Sequence, residues 1–299
     1  MWRRRPGGTA SGTGERGERR GEEGERRHPA SHRKAQNPPP ARACTHASRS
    51  SPTSPTHAPP AHLSPSTPHS SIADAVALFH AAVFTYQATV WAWHWSPAAA
   101  ALPGARGFGR FFRYLTFYSY TLQTAAFGLS AASAALPLAP RARVGLCRAA
   151  DDAACAVFGL ANVVTVLYYS LEAATAAVVE GGPVARPPWL GRSVHLWNAV
   201  AAWTDLLVAH PRSFSPRAAR LSHAAAGTYT AWLLVVRVAS GTFPYPILNA
   251  LPMPAGYVGL TATALALFAG LFALGRRLST PLVRVKAKAG WPQAAGGEW

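Results

Sequence analysis

Long apolar runs dominate the chain from Ile72 onward, and short segments rich in Pro, Gly and Arg separate them. A helix needs about 20 predominantly apolar residues to cross the hydrocarbon core of a bilayer. By this criterion the pattern predicts an all-α fold, a six-span transmembrane helical bundle within residues 71–278. We place the spans at about 72–95, 112–136, 153–179, 192–209, 221–240 and 255–275.

The two ends of the chain have the opposite character. Residues 1–70 contain almost no aliphatic or aromatic side chains and are rich in Arg, Gly, Pro and Ser. Such a segment cannot bury enough apolar surface to offset the conformational entropy that is lost on ordering. We therefore expect residues 1–70 to form a disordered basic tail, and residues 279–299 to form a second basic tail after the last span.

The charge distribution predicts the orientation in the membrane. The chain has 29 Lys and Arg against 12 Asp and Glu, a net charge of +17. Outside the tails, the basic residues concentrate in the second loop (Arg141, Arg143, Arg148) and the fourth loop (Arg212, Arg217, Arg220). Cytoplasmic loops carry an excess of Lys and Arg, so both termini are expected in the cytosol. The positive charge then serves orientation and contact with anionic membrane lipids, and no nucleic acid partner is expected.

The fourth predicted span, which includes Ser193–Asp205, carries ionisable residues in an apolar run. His195, Asn198 and Asp205 fall on one stripe of a helix. Ionisable groups inside a span are costly and usually face the interior of a bundle or a water-filled cavity. His195 is therefore a candidate base or proton relay. The alternative is a buried polar pair that only holds helices together.

Two further spans carry polar stripes. In the second span, Thr116, Tyr120 and Gln123 share one helical face. A lone threonine in a span usually bonds to its own backbone, but a second polar face strengthens the case for a hydrated pocket. The third span supplies that face with Asn162, Thr165, Tyr169 and Glu172.

Arg237 lies close to the end of the fifth span. It is a candidate partner for Glu172 or for an anionic head group, and the alternative is an arginine that extends to the interface. In the predicted topology Thr116, His195 and the turn at Phe243–Pro246 lie at one level of the membrane, on the lumenal or extracellular side.

Several of these motifs occur together in a recognisable order. The segment RYLTF contains Thr116, Gln123 follows seven residues later, His195 precedes Asp205 by ten residues, and Tyr229 and Trp232 precede the turn GTFPYP at Gly241–Pro246. This set resembles the androgen-induced and androgen-dependent family of multi-pass membrane threonine hydrolases, which cleave fatty acid esters of hydroxy fatty acids. The resemblance covers roughly residues 72–276.

The resemblance implies a lipid ester hydrolase of the endomembrane system, in the endoplasmic reticulum or plasma membrane. It makes Thr116 the nucleophile and His195 its base. A threonine hydroxyl is a weak nucleophile that needs an adjacent base, and imidazole has a suitable pKa. Asp205 lies roughly 15 Å along the helix from His195, too far for a direct triad contact, so we expect it to anchor a polar network. Tyr245 is a candidate oxyanion donor.

No metal or cofactor is expected, because the cysteines Cys44, Cys147 and Cys155 and the acidic residues show no metal-ligand spacing. The expected partners are a lipid ester substrate and membrane lipids, and the pattern does not define the oligomeric state. Two other functions stay open. One is a transporter or proton relay that uses His195, Asp205, Glu172 and Arg237, and the other is a non-catalytic membrane scaffold.

Overall fold

The structure is a computed structural model that describes residues 69–176, 187–208 and 211–288. Within these ranges all regular secondary structure is helical, as the sequence predicts. Almost all of the tail predicted at 1–70 lies outside the described residues. So do the end of the third predicted span, most of the third loop, His210, the end of the fourth span at 209, and residues 289–299.

Six long helices account for the six apolar runs, and each predicted span falls on one of them. They are α1 (His69–Trp93), α3 (Leu115–Ala135), α4 (Pro140–Ala176), α5 (Pro188–Val208), α6 (Pro216–Ser240) and α8 (Ala255–Lys288). Shorter elements lie in the connections: α2 (Pro97–Ala100), α7 (Pro246–Ala250) and the 3-10 helices Pro103–Ala105 and Arg110–Arg113.

Three of the described helices are long and apolar enough to cross a membrane: Ile72–Trp93 in α1, Pro140–Ala173 in α4 and Ala255–Lys286 in α8. Helices α3, α5 and α6 fall below that threshold, because their polar side chains lower their mean hydropathy. Large apolar side chains also lie exposed along the helices, among them Leu78, Val238 and Val258. A soluble protein rarely leaves so much apolar surface uncovered. These features support a membrane protein.

One end of the bundle, here called the cavity end, joins the end of α1 to the starts of α3 and α5. Trp91 Nε1 donates to Thr121 Oγ1 (3.0 Å), and the hydroxyls of Tyr86 and Ser193 are 2.6 Å apart. The segment after α6 meets the same end, because the N–H of Leu115 donates to the Tyr245 hydroxyl (2.7 Å). The start of α8 also lies at the cavity end, since the Tyr257 hydroxyl donates to the Thr230 carbonyl (2.9 Å) on α6.

The opposite end, here called the charged end, joins the first part of α4 to the end of α5, the start of α6 and the end of α8. The Ser215 hydroxyl donates to Asp152 of α4 (2.5 Å) and also caps α6 by accepting from the N–H of Ala218 (3.0 Å). Lys286 of α8 donates to the Leu206 carbonyl of α5 (3.1 Å). Together the contacts at the two ends show that consecutive long helices run antiparallel.

Two helices extend further than the apolar pattern predicts. Helix α4 begins at Pro140, so Arg141, Arg143 and Arg148 lie on a helix and not in a loop. Pro140 is favourable there, because the first helical N–H has no intrahelical partner. Helix α8 continues through residues 279–288, which the sequence pattern assigns to the second basic tail. Both extensions are polar helical turns that a search for apolar runs leaves out.

Candidate active site

A cavity of about 730 Å³ lies at the cavity end. This volume is within the range of sites that enclose small molecules. Most of its wall is apolar and comes from α3, α4, α5, α6 and α8, with residues such as Leu167, Leu233 and Phe268. A smaller set of polar side chains also lines it: His94, Tyr114, Thr116, Tyr168, Glu172, His195, Tyr229, Thr230, Tyr245 and Thr261. Thr116 and His195, both singled out from the sequence, thus lie in one cavity.

Thr116 is the second residue of α3, and its hydroxyl makes no hydrogen bond to any described residue. The next threonines of the same helix differ. Thr121 and Thr124 each donate to the carbonyl four residues earlier, both at 2.8 Å. A side chain in the first turn of a helix has no helical carbonyl four residues earlier to which it can donate. The Thr116 hydroxyl therefore stays available to a ligand.

The backbone around Thr116 offers two unused donors. The first N–H groups of an α-helix have no intrahelical acceptor, and Tyr114 at the N-cap provides no side-chain acceptor. The N–H of Leu115 is bound to Tyr245, whereas the N–H groups of Thr116 and Phe117 have no partner in the described part of the chain. Such donors at a helix N-terminus favour an anion.

Tyr245 holds the start of α3 in place. Tyr229 donates its single hydroxyl proton to the Arg113 carbonyl (2.9 Å), so Tyr245 must be the donor in the 2.9 Å bond between the two phenols. Tyr245 in turn accepts from the N–H of Leu115, and burial raises the pKa of Tyr245 to about 12. The hydroxyl proton of Tyr245 is thus donated to Tyr229 and is not directed at an oxyanion, the role for which the sequence made Tyr245 a candidate.

His195 is buried in α5, and its ring stacks on the ring of Tyr168. The ring centroids are 3.5 Å apart and the planes differ by 12°. Tyr168 donates to Glu172 (3.2 Å), and the Thr165 hydroxyl donates to the His195 carbonyl. Side chains of α4 therefore fix both the backbone and the imidazole of His195.

The sequence pattern places Tyr169 on the polar stripe of the third span, but in the structure the neighbouring Tyr168 lines the cavity. The Tyr169 side chain is 39% exposed and is not among the residues of the cavity wall. Positions 165, 168 and 172 satisfy the helical spacing as well as 165, 169 and 172 do. Periodicity alone therefore could not distinguish the two tyrosines.

Tyr120, Gln123 and Asn198 lie deeper in the bundle and do not line the large cavity. Gln123 accepts from Gln87 of α1 (2.9 Å) and donates to the Asn198 carbonyl of α5 (2.8 Å). Tyr120 packs against Val90 and other apolar residues. These three residues hold α1, α3 and α5 together behind the catalytic candidates.

Asp205 lies at the charged end, in a buried polar network. Arg212 donates to both of its oxygens (2.7 and 2.8 Å), and the His80 ring lies 2.8 Å from one of them. Arg212 is also 3.5 Å from Asp151 of α4. The geometry agrees with the anchoring role expected for Asp205. The sequence analysis does not predict that His80 and Arg212 contact Asp205. Asp205 and Arg212 are only seven residues apart across a short connection, and this spacing could have indicated their contact.

Arg237 and Glu172 do not meet. The Arg237 guanidinium lies over the ring of Phe243, 5.4 Å from its centroid, and forms no ion pair with a described residue. Glu172 lines the cavity instead. The groups suggested for a proton relay are therefore distributed over separate places, with His195 and Glu172 at the cavity end and Asp205 at the charged end.

The fold and the cavity define a helical membrane protein with an internal site that offers a hydroxyl, an imidazole and free backbone donors. No group of three or more His, Cys, Asp or Glu that could hold a metal occurs in the described ranges. The model of the FAR-17a/AIG1-like protein family matches residues 75–280, and the chain belongs to this family. The match spans Thr116 and His195 and confirms the resemblance seen in the sequence.

Family membership suggests a membrane hydrolase. Searches of the curated proteins and of the solved structures found no match to this chain.

Proposed function

We propose that this protein is an integral-membrane hydrolase that cleaves lipid esters, with Thr116 as nucleophile and His195 as general base. The observation that carries the proposal is that Thr116, whose hydroxyl has no hydrogen-bond partner among the described residues, and His195 line one largely apolar cavity. The apolar wall suits an acyl chain, and the polar residues at the cavity end suit the ester group.

The proposed reaction has two halves. His195 takes the proton of Thr116 Oγ1 as that oxygen attacks the ester carbonyl carbon. The N–H groups of Thr116 and Phe117 bind the resulting oxyanion. The bond to the alcohol oxygen then breaks, His195 returns its proton to the alcohol, and a threonyl ester remains. In the second half, water gives its proton to His195 and attacks this ester, and the fatty acid leaves as Thr116 regains its proton.

The antiparallel order of the long helices supports six membrane crossings. Exposed basic residues gather at the charged end: Arg141, Arg143, Arg217, Arg220, Arg276, Arg277, Arg284 and Lys288. The bias of Lys and Arg toward cytoplasmic segments then puts this end and both termini in the cytosol. The cavity end faces the lumen of the endoplasmic reticulum or the cell exterior.

A topology experiment tests this arrangement. Reporter tags inserted next to Arg143 and next to Arg217 should be digested by protease added to the cytosolic side, whereas a tag next to Gly181 should be protected. Protease access in sealed microsomes is the measurement. If the Gly181 tag were digested together with the Arg143 tag, the six-span topology would be wrong.

A covalent probe tests the chemistry. A fluorophosphonate with an alkyl chain should label the full-length protein, and peptide mass spectrometry should place the adduct on Thr116. Labelling should fall strongly in His195→Ala, because the hydroxyl then lacks its base. Thr121→Ala is the matched control, since that hydroxyl donates to the Phe117 carbonyl. An adduct on a different residue, retained in Thr116→Ala, would refute the proposal.

A further inference from the structure

Polar and apolar residues of the cavity wall are separated along the axis of the bundle. On α4, α6 and α8 the polar wall residues lie nearer the cavity end, where Thr116 begins α3. The described wall residues nearest the charged end are apolar. They are Leu160 of α4, Ala226 of α6 and Phe268 of α8, here called the cavity floor. These three residues belong to one buried hydrophobic cluster.

The floor is closed by close packing among the described residues. Leu122 of α3 and Leu271 of α8 pack against the same cluster but are not part of the wall. The α4 backbone approaches the Phe268 ring closely, because a Cβ on Gly159 would lie only 3.0 Å from that ring. The His223 ring of α6 meets Phe268 edge-on, with centroids 6.1 Å apart. The Phe268 ring is therefore held between α4 and α6.

Helical rise gives the depth of the floor. Leu160 precedes Tyr168 by eight residues, and Phe268 follows Thr261 by seven. At about 1.5 Å per residue, the floor lies about 10–12 Å from these polar wall residues. An extended chain advances about 1.2 Å per bond, so a straight hydrocarbon that starts at the polar part reaches the floor in roughly ten bonds. A longer chain must fold back within the cavity.

The order of events in the proposed reaction decides which half of the ester lies on the floor. The alcohol leaves first, while the acyl group stays bonded to Thr116. An alcohol whose chain lay on the closed floor would have to pass the threonyl ester on its way out. An acyl chain on the floor leaves the path of the alcohol clear.

We propose that the acyl chain of the substrate lies along the apolar wall and meets Phe268, which makes Phe268 the residue that limits the length of a straight acyl chain. The statement about esters rests on the proposed hydrolase function. Contact between a hydrocarbon chain and Phe268 does not, because a fatty acid can occupy the cavity without being cleaved. Its carboxylate suits the free N–H groups of Thr116 and Phe117.

Binding of straight-chain fatty acids, from octanoate to stearate, tests the contact by calorimetry on the detergent-solubilised full chain. Affinity should rise by up to about fourfold per added carbon until the chain reaches the floor, and more slowly beyond that length. Phe268→Ala deepens the cavity, so longer acids should bind tighter than to the wild type, by up to about 15-fold for two carbons. Comparison of variant and wild type at each length cancels the partition of the acid into micelles.

Two further variants keep the test specific. Ala226→Leu adds bulk at the floor and should move the limit to shorter chains, and it leaves Phe268 in place if Phe268→Ala folds poorly. Phe272→Ala is the matched control. Phe272 lies one turn further along α8, is buried in a different cluster with Phe214, and is not a wall residue. Its truncation should lower stability and leave the limit unchanged.

Hydrolysis kinetics connect the floor to the reaction. One series of p-nitrophenyl esters varies the acyl chain, and one series of alkyl butanoates varies the alcohol chain. The floor variants should move the kcat/KM optimum of the acyl series alone. If the fatty acid limit shifts as expected but the wild type cleaves no ester, only the proposed function fails. An unchanged fatty acid limit in either folded floor variant, or a shift confined to the alcohol series, overturns the proposal for Phe268.

Discussion

Thr116→Ala is expected to lower kcat/KM for lipid ester hydrolysis by about 10⁴-fold or more, which is the order of loss seen when a catalytic nucleophile is removed. His195→Ala should cause a similar loss, because the hydroxyl then lacks its base. The double variant should be scarcely worse than either single one, since partners in one chemical step are strongly non-additive. Hydrolysis of a long-chain ester by purified protein in detergent is the measurement.

Two controls keep this prediction specific. Thr116→Ser keeps the hydroxyl and should retain measurable turnover. Thr121→Ala removes a hydroxyl that is bound to the backbone of the same helix and should change turnover little. A folded Thr116→Ala protein with undiminished cleavage would refute the threonine mechanism and favour a transporter or scaffold.

Arg212→Met is expected to lower the free energy of unfolding by about 3–5 kcal/mol, more than the other substitutions considered at the charged end. The guanidinium is 5% exposed and donates to both oxygens of Asp205. Without it, the Asp205 carboxylate stays buried next to His80 and lacks its strongest partner, which accounts for most of the cost. Thermal unfolding of the detergent-solubilised protein measures the effect.

The chain offers a matched comparison for this substitution. Arg217 also lies at the charged end, 3.5 Å from Asp152, but its side chain is 66% exposed. Surface ion pairs contribute about 0–1 kcal/mol, so Arg217→Met should have a small effect. Arg212→Lys should fall between the two, because a lysine keeps the charge and loses the two-point contact. Equal destabilisation by Arg212→Met and Arg217→Met would contradict the role assigned to the network.

The sequence predicts the six long helices well, because their apolar runs are long and the segments between them contain helix-breaking residues. It predicts the burial of His195, Asn198 and Asp205 for a related reason. An ionisable or amide group in an apolar run has a strong preference for the interior of the bundle. All three side chains are indeed at most 5% exposed.

The other features of the fold and the site could not be predicted, because they depend on contacts between elements that are distant along the chain. The bond between Leu115 and Tyr245 joins residues 130 positions apart, and that between His80 and Asp205 joins residues 125 positions apart. No local pattern encodes such pairs. Extra polar turns at the start of α4 and at the end of α8 were missed because hydropathy marks the apolar part of a helix and not its full length.

The position of Thr116 in the first turn of α3 has a consequence for inhibitor design. In the proposed mechanism, the attacking oxygen and the two N–H donors belong to one helical turn, so they move together as a rigid group. A boronic acid that adds to the Thr116 oxygen would place its own oxygens against those same donors. The alkyl chain would pack against the apolar wall of the cavity, which makes alkylboronic acids a natural starting scaffold for ligands of this site.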